Sequence, residues 1–384
     1  MSLFDSASLV VTPNGVKEGK LYSIKPTDGS GDLDVVRNSS ATRVNAEGLI
    51  ETVGVNIARL DYTDSTCPSI LVEPQRTNKL IQSESFPTST YSYISLNRET
   101  GYTAPDGSNN AIRITNTGSG DNSGRAFLTS DFLLNDARTI YARTVSGTGK
   151  ACLCGFYQNS FNNLFDLTEE WQRFELNEVI SLGGTSFFLA DFRSALTTVD
   201  DIIVWGGQVE AGTYATSYIP TVASAVTRNA DVINLNDLQN KNVLSSDWTI
   251  YSEFIDYGNS NNNGTFVLGL KNITGTDWIG LYRTFTGALT FSKKENNGSV
   301  LTTPSLIQIT NGNIIKVTIK CTSNNLKAYI NGSLAYTSTF ANPSLMTNFE
   351  LSRIGSASNT TIIKSSLAFN VALTDQELEQ LTTI

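Results

Sequence analysis

Apolar and polar residues alternate with a period of two over long stretches of this chain. Trp248, Ile250, Ser252 and Phe254 fall on one side of an extended segment, and Thr249, Tyr251 and Glu253 on the other. That period is the signature of a strand with one buried face. Leu326, Ala328 and Ile330 share a face in the same way. Asn331-Gly332 then predicts a two-residue hairpin into Leu334 and Tyr336, because both residues tolerate the positive φ of such a turn. The runs 151–157, 185–190 and 202–205 are apolar at consecutive positions, as strands buried between stacked sheets are. The stretch 207–221 breaks the ladder at Gly212 and Pro220 and offers Tyr214 and Tyr218 to lie back over a sheet edge, so it predicts a closing flap. Helical spacing is convincing only near the end, where Thr374 and Glu377 form a capping box ahead of Leu378 and Leu381. The fold class is all-β.

The strands group into segments. Residues 1–82 hold short pieces such as Ser8–Val11, Lys20–Ile24 and Pro68–Val72, with a hairpin loop expected at Asn45–Gly48. Strands so short and polar bury little by themselves, so this region is expected to dock on a partner or on its own copies, as an attachment and oligomerisation region. Residues 83–222 form a first sandwich, residues 223–245 are polar and read as a connector, and residues 246–384 form a second sandwich.

Composition agrees with this pattern. Only 16% of residues are charged and glycines number 29, a balance that favours turn-rich sheet over helix. The net charge of −9 is concentrated in residues 83–222, which carry eight basic against fifteen acidic residues. Such a chain offers no cationic field for phosphate, and a nucleic-acid partner is not expected. The first residues lack the basic start and apolar core of a signal peptide, and no apolar run approaches the ~18 residues that cross a bilayer. Synthesis in a cytoplasm without membrane insertion is expected. Cys67, Cys152, Cys154 and Cys321 read as buried free thiols.

The absence of histidine narrows the chemistry most. Ser-His-Asp and Cys-His nucleophilic sites are excluded, as is any zinc site that needs imidazole. A pair of carboxylates would suffice for a glycosidase, and Asp166 with Glu169 and Glu170, or Asp200 with Asp201, are the candidates. Charged loop residues are usually just solvated, and no catalytic residue is assigned. The stretch Asp28–Asp34 carries oxygen ligands for Ca2+ but lacks the EF-hand spacing and its terminal Glu. It reads as a turn, and neither a metal nor another cofactor is expected. Trp278 and Tyr282 flank Ile279-Gly280-Leu281 near the polar loop 258–264. Two readings stand for this pair: a glycan site, with rings stacking on a sugar and Asn side chains reaching its hydroxyls, or packing at the core or rim of a strand.

Several motifs are shared with a known group of proteins. The stretches "SLFDSASLVVTPNGVKEGKLYSIKPTDGSGDLDVVRNSSATRVNAEGLIE" and "RLDYTDSTCPSILVEPQRTNKL" resemble the N-terminal region of virion fibre and tail-associated proteins of tailed bacteriophages. "GGQVEAGTYATSYIPT" with "AVTRNADV" resembles the end of a carbohydrate-binding-like sandwich found in such proteins. Residues 246–384, with "LKAYINGSLAYTST", "LSRIGS" and "SLAFNVALTDQELEQL", look like a concanavalin A-like (laminin G-type) lectin domain. The resemblance implies two β-sandwiches of jelly-roll type on a bacteriophage virion structural protein of head or tail fibre type. It implies other virion proteins as partners through residues 1–82, a homotrimer, and adhesion to host or environmental glycans without enzymatic activity. A tailspike-like glycosidase that degrades polysaccharide, or a decoration or assembly protein without ligand, are the alternatives.

Overall fold

The computed structural model describes residues 2–384 apart from 64, 134, 157–162, 177–185, 213, 260–264, 285, 323–324, 341–345, 352 and 355–356. The chain is almost entirely strand, with short helices at Leu3–Ser6 and Asp375–Thr382, as the alternation requires. It divides into two compact units. Unit 1 comprises Met1–Ala46, Val53–Gln75 and Asn229–Ile384, and unit 2 comprises Glu47–Thr52 and Arg76–Arg228. This differs from the four segments expected. Residues 1–82 are divided between the two units, as are residues 223–245.

In unit 1 the N-terminal strands complete the sheets of the C-terminal sandwich. Among the described residues, one sheet runs Ser333–Thr339, Asn325–Ile330, Ile314–Thr322, Trp248–Asn259, Ala357–Phe369, Ser69–Val72 and Arg59–Asp61, with Leu9–Val11 also paired to Ala357–Phe369. The other begins with Val16–Lys17, Lys20–Leu21 and Leu33–Val36. It continues through Val232–Leu235, Asn348–Leu351, Thr265–Lys271, Trp278–Arg283 and Ala288–Lys294. Short strands are stable here because their partners are long strands of the same chain: Val10 pairs with Leu367, and Val35 with Ile233. Their apolar sides enter one core, in which Leu9, Val11, Leu21, Leu33, Ile70 and Val72 meet Trp248, Ile250, Phe254 and Leu281. The region therefore finds within its own chain the partners that symmetry copies were expected to supply. From the supposed connector, Ile233, Leu235, Leu238, Val243 and Leu244 are core residues.

From Trp248 to Ser252 the strand Trp248–Asn259 is buried on both sides, with Thr249 and Tyr251 enclosed as well as Ile250. The C-terminal helix folds over neighbouring strands of this sheet: Val10, Tyr329, Phe369 and Leu373 form a separate cluster with Leu378 of that helix. The helix begins as its sequence demands. Thr374 Oγ1 accepts from Glu377 N at 3.3 Å, and Glu377 Oε2 accepts from Thr374 N at 2.7 Å. The Asn331-Gly332 turn has φ of 47° and 81°, joining Ile330 to Ser333 in register.

In unit 2 two five-stranded sheets enclose a core. One runs Ser92–Ile94, Arg125–Thr129, Ser186–Asp191, Gly149–Cys152 and Leu164–Leu167. The other runs Leu96–Tyr102, Ala111–Asn116, Asp201–Ala211, Asp136–Thr144 and Gln172–Leu176. Ile112, Ile140, Phe174, Val204 and Leu189 lie between them. Tyr157 and Thr185, at the ends of two expected strands, are outside the described residues. The closing stretch differs in detail from expectation. The strand continues to Ala211 rather than ending at Trp205, because Gly206 at φ 61° carries it through a bulge. Only Gly212, at φ 139°, ends it. Tyr218 then folds back onto Trp205, with ring centroids 4.7 Å apart, and its hydroxyl pairs with Ser83 Oγ at 2.7 Å. Tyr214 lies against the Arg76 guanidinium. The flap is thus part of the core.

Candidate functional site

The strand Trp278–Arg283 carries the pair of aromatics singled out in the sequence. Its odd positions face inward, with Ile279 and Leu281 in the core. Arg283, the third, is ion-paired to the buried Asp256 at 2.9 Å and donates to Asn311 Oδ1 at 2.7 Å. Trp278, Gly280 and Tyr282 therefore share the outer face, and both aromatics are half-buried. Four residues along a strand span roughly 13 Å, which is longer than one sugar ring.

Register defines what surrounds them. Gly280 lies opposite Gly269 on one side and Ser292 on the other, so the centre of this face carries no side chain on two adjacent strands. Beyond Gly269 comes Glu350, held by Lys271 at 2.5 Å, and Lys271 is itself opposite Trp278. Thr290 sits opposite Tyr282 and donates to its carbonyl at 3.1 Å. Two aromatic side chains thus flank a glycine pair, with amine, carboxylate and hydroxyl groups at its edge. The chemistry suits a saccharide, whose C–H faces stack on rings and whose hydroxyls take hydrogen bonds. The polar loop expected beside this pair falls largely at 260–264, outside the described residues.

The other candidates occupy local structural roles. Asp166 is exposed and pairs with Lys150 at 3.1 Å, while Glu169 accepts from Gly147 N at 2.6 Å. Asp200 accepts from Asn116 Nδ2 at 2.9 Å, and Asp201 holds Arg113. Asp28 closes its own turn through Ser30 N at 2.9 Å, Asp32 accepts from Ser23 N at 2.9 Å, and Asp34 pairs with Lys20 at 2.6 Å. Among the described residues no cluster of three or more Cys, Asp or Glu is arranged to hold a metal ion. Cys152, Cys154 and Cys321 are buried, and burial pushes the Cys152 thiol up to about 11 and that of Cys321 to about 12. Cys67 is exposed, contrary to expectation, because it lies in the loop before Ser69–Val72 rather than in a strand.

Two features escaped the sequence reading. Arg37, Arg59, Glu73 and Asp231 form a buried network in unit 1. Asp231 takes Arg37 at 2.8 Å and also Arg59, and Arg59 takes Glu73 at 2.6 Å. Burial depresses the Arg37 guanidinium, with the Asp231 charge opposing it, whereas Asp231 and Glu73 together outweigh burial at Arg59 and raise it. The second feature is the outer face of one sheet of unit 2, where Arg113, Arg143, Trp171, Trp205 and Tyr141 gather from three strands and a turn. Only strand register aligns them, and no local spacing announces it.

No protein-family model matches the chain, and no curated protein matches it either. Among solved structures it is similar to the CBM40 domain of the Ruminococcus gnavus IT-sialidase bound to α2,3-sialyllactose, at 20% identity over 37% of this chain and 84% of that one, with a TM-score of 0.30. It is similar to domain 4 of AbnA, a GH43 extracellular arabinanase from Geobacillus stearothermophilus in complex with arabinotriose, at 16% identity over 44% of this chain and 82% of that one, TM-score 0.33. A SAP-like pentraxin from Limulus polyphemus is similar at 15% identity over 36% and 70%, TM-score 0.28.

Proposed function

We propose that the protein is a non-enzymatic glycan-binding protein that presents β-sandwich faces to saccharides as part of a bacteriophage virion. The observation that carries glycan binding is the outer face of the strand Trp278–Arg283, where Trp278 and Tyr282 flank Gly280 and its cross-strand neighbour Gly269. A site with ring faces and mixed polar groups suits recognition better than bond cleavage, and of the carboxylates weighed as catalysts Asp166, Glu169, Asp200 and Asp201 are occupied in turns and ion pairs. Placement on a virion is supported by the motifs of residues 1–82 and 207–231. The expected trimer has lost its premise of unpaired short strands.

A glycan array with full-length protein tests the reading, followed by titration of the retained oligosaccharide. Trp278→Ala and Tyr282→Ala are each expected to weaken that binding about tenfold, or about 1.4 kcal/mol, in line with the loss of an aromatic contact. Retention of no glycan, or unchanged affinity in both variants, would overturn the reading.

A further inference from the structure

Unit 2 carries a second set of residues with recognition chemistry. Antiparallel register lays four of them in one line across the outer face of a sheet: Glu99 opposite Arg113, Arg113 opposite Ile203, and Ile203 opposite Arg143. Trp171 takes the next place, with the Arg143 guanidinium over its ring at 5.4 Å. Its indole Nε1 donates to Thr103 O at 3.3 Å, which fixes the ring.

The two arginines of this line differ. Arg113 is neutralised, with Nε on Asp201 Oδ1 at 2.8 Å, Nη2 on the same carboxylate, and Nη1 near Glu99 at 3.4 Å. Among the described residues Arg143 has no carboxylate partner, and its hydrogen bonding consists of Nη1 to Thr144 O at 3.4 Å. Its Nε and Nη2 donors remain, at a half-buried position beside an apolar floor. Ile203 is enclosed beneath that line at 2% exposure, and the partly buried Val145, Tyr141 and Trp171 pack against the same cluster and supply the apolar surface.

We propose that this line is a binding site for a carboxylate-bearing sugar, with Arg143 as the partner of the carboxylate and the partly buried Val145 and Trp171 as the floor for the ring. A guanidinium presents two parallel donors that match the two oxygens of a carboxylate, and stacking on an aromatic ring holds that fork in place. The apolar floor beside it suits the C–H face of a pyranose. Long-range attraction plays no part, since residues 83–222 carry eight basic against fifteen acidic residues; recognition is by contact. The site is separate from the Trp278 face of unit 1 and stands without it.

The test uses full-length protein and a panel of glucuronate-, galacturonate- and sialate-bearing oligosaccharides. Each is paired with its carboxyl-reduced counterpart, and sulfated neutral oligosaccharides form a further arm. At least one acidic probe is expected to bind tenfold or more tightly than its reduced form. Arg143→Gln is expected to erase that preference, and Arg143→Lys, which keeps the charge but not the fork, to lose most of it. Trp171→Ala is expected to weaken the acidic probe as well. Should Arg143→Gln fail to melt cooperatively, the lysine and Trp171→Ala variants decide. No preference for any acidic probe, a preference that survives both arginine substitutions, or binding confined to the sulfated arm would overturn the proposal. The two readings fail separately, because the carboxylate preference is read through Arg143 and the response of the Trp278 face through Trp278→Ala.

Discussion

Asp231 is held by two guanidiniums that are themselves fully enclosed. Removing a partner from such a cluster leaves buried charge uncompensated, which costs more than the pair ever contributed. Asp231→Ala is therefore expected to destabilise unit 1 by about 3–5 kcal/mol, measured by denaturant unfolding; a loss under about 1 kcal/mol would show that the cluster rearranges freely. Residues of this kind were hidden in the sequence. Arg37, Arg59, Glu73 and Asp231 come from four separate stretches that look like polar loop, and their burial depends on which strands meet. Trp278 and Tyr282 were legible because they sit on one strand at even spacing, with a glycine between. Arg143 and Trp171 were not, since one lies on a strand and the other in a turn just before a neighbouring strand, and only cross-strand register brings them together.

The C-terminal helix shows how a local signal sets a larger contact. Its capping box satisfies amides at the first turn, and Asp375 anchors it to the sheet through Lys320 at 2.8 Å and Lys327 at 2.5 Å. Hydrogen bonds from Lys320 and then Lys327 hold the Asp375 carboxyl below its usual range. Thr374→Ala is expected to cost about 1 kcal/mol of unit 1 stability, read as a lower midpoint in thermal unfolding followed by circular dichroism. The effect should persist at high salt, because a hydroxyl cap carries no charge to be screened. An unchanged midpoint would mean that Leu378 alone docks the helix. Such elements were readable because capping, the Asn331-Gly332 turn and period-two alternation are decided within a few residues. Pairing is not so decided. Leu9–Val11 reads as a strand from its composition, but its partner Ser366–Ala368 lies at the other end of the chain, and nothing local names it.

The order of segments along the chain suggested a sequence of beads, whereas the chain leaves unit 1 briefly for Glu47–Thr52, and again after Gln75 until it returns at Asn229. Exit and return are already joined within unit 1, where Asp231 N donates to Glu73 O at 3.0 Å. Replacing 76–228 by a short Gly-Ser linker is therefore expected to leave unit 1 folded with a cooperative melt. Deleting 1–75 is expected to abolish that melt, because Ile70, Val72, Leu33 and their neighbours leave the core. The opposite pair of results would restore a detachable N-terminal region. Within unit 2 the first and last strands, Arg76–Asn78 and Val226–Arg228, run antiparallel side by side, with Thr77 Oγ1 and Thr227 Oγ1 2.7 Å apart. That juxtaposition governs how tension would travel. The leads at Arg76 and Arg228 are clipped together by that pairing. Tension entering through Arg76 and Arg228 is met first by that paired edge, so the strands behind it are loaded only after the pair has parted.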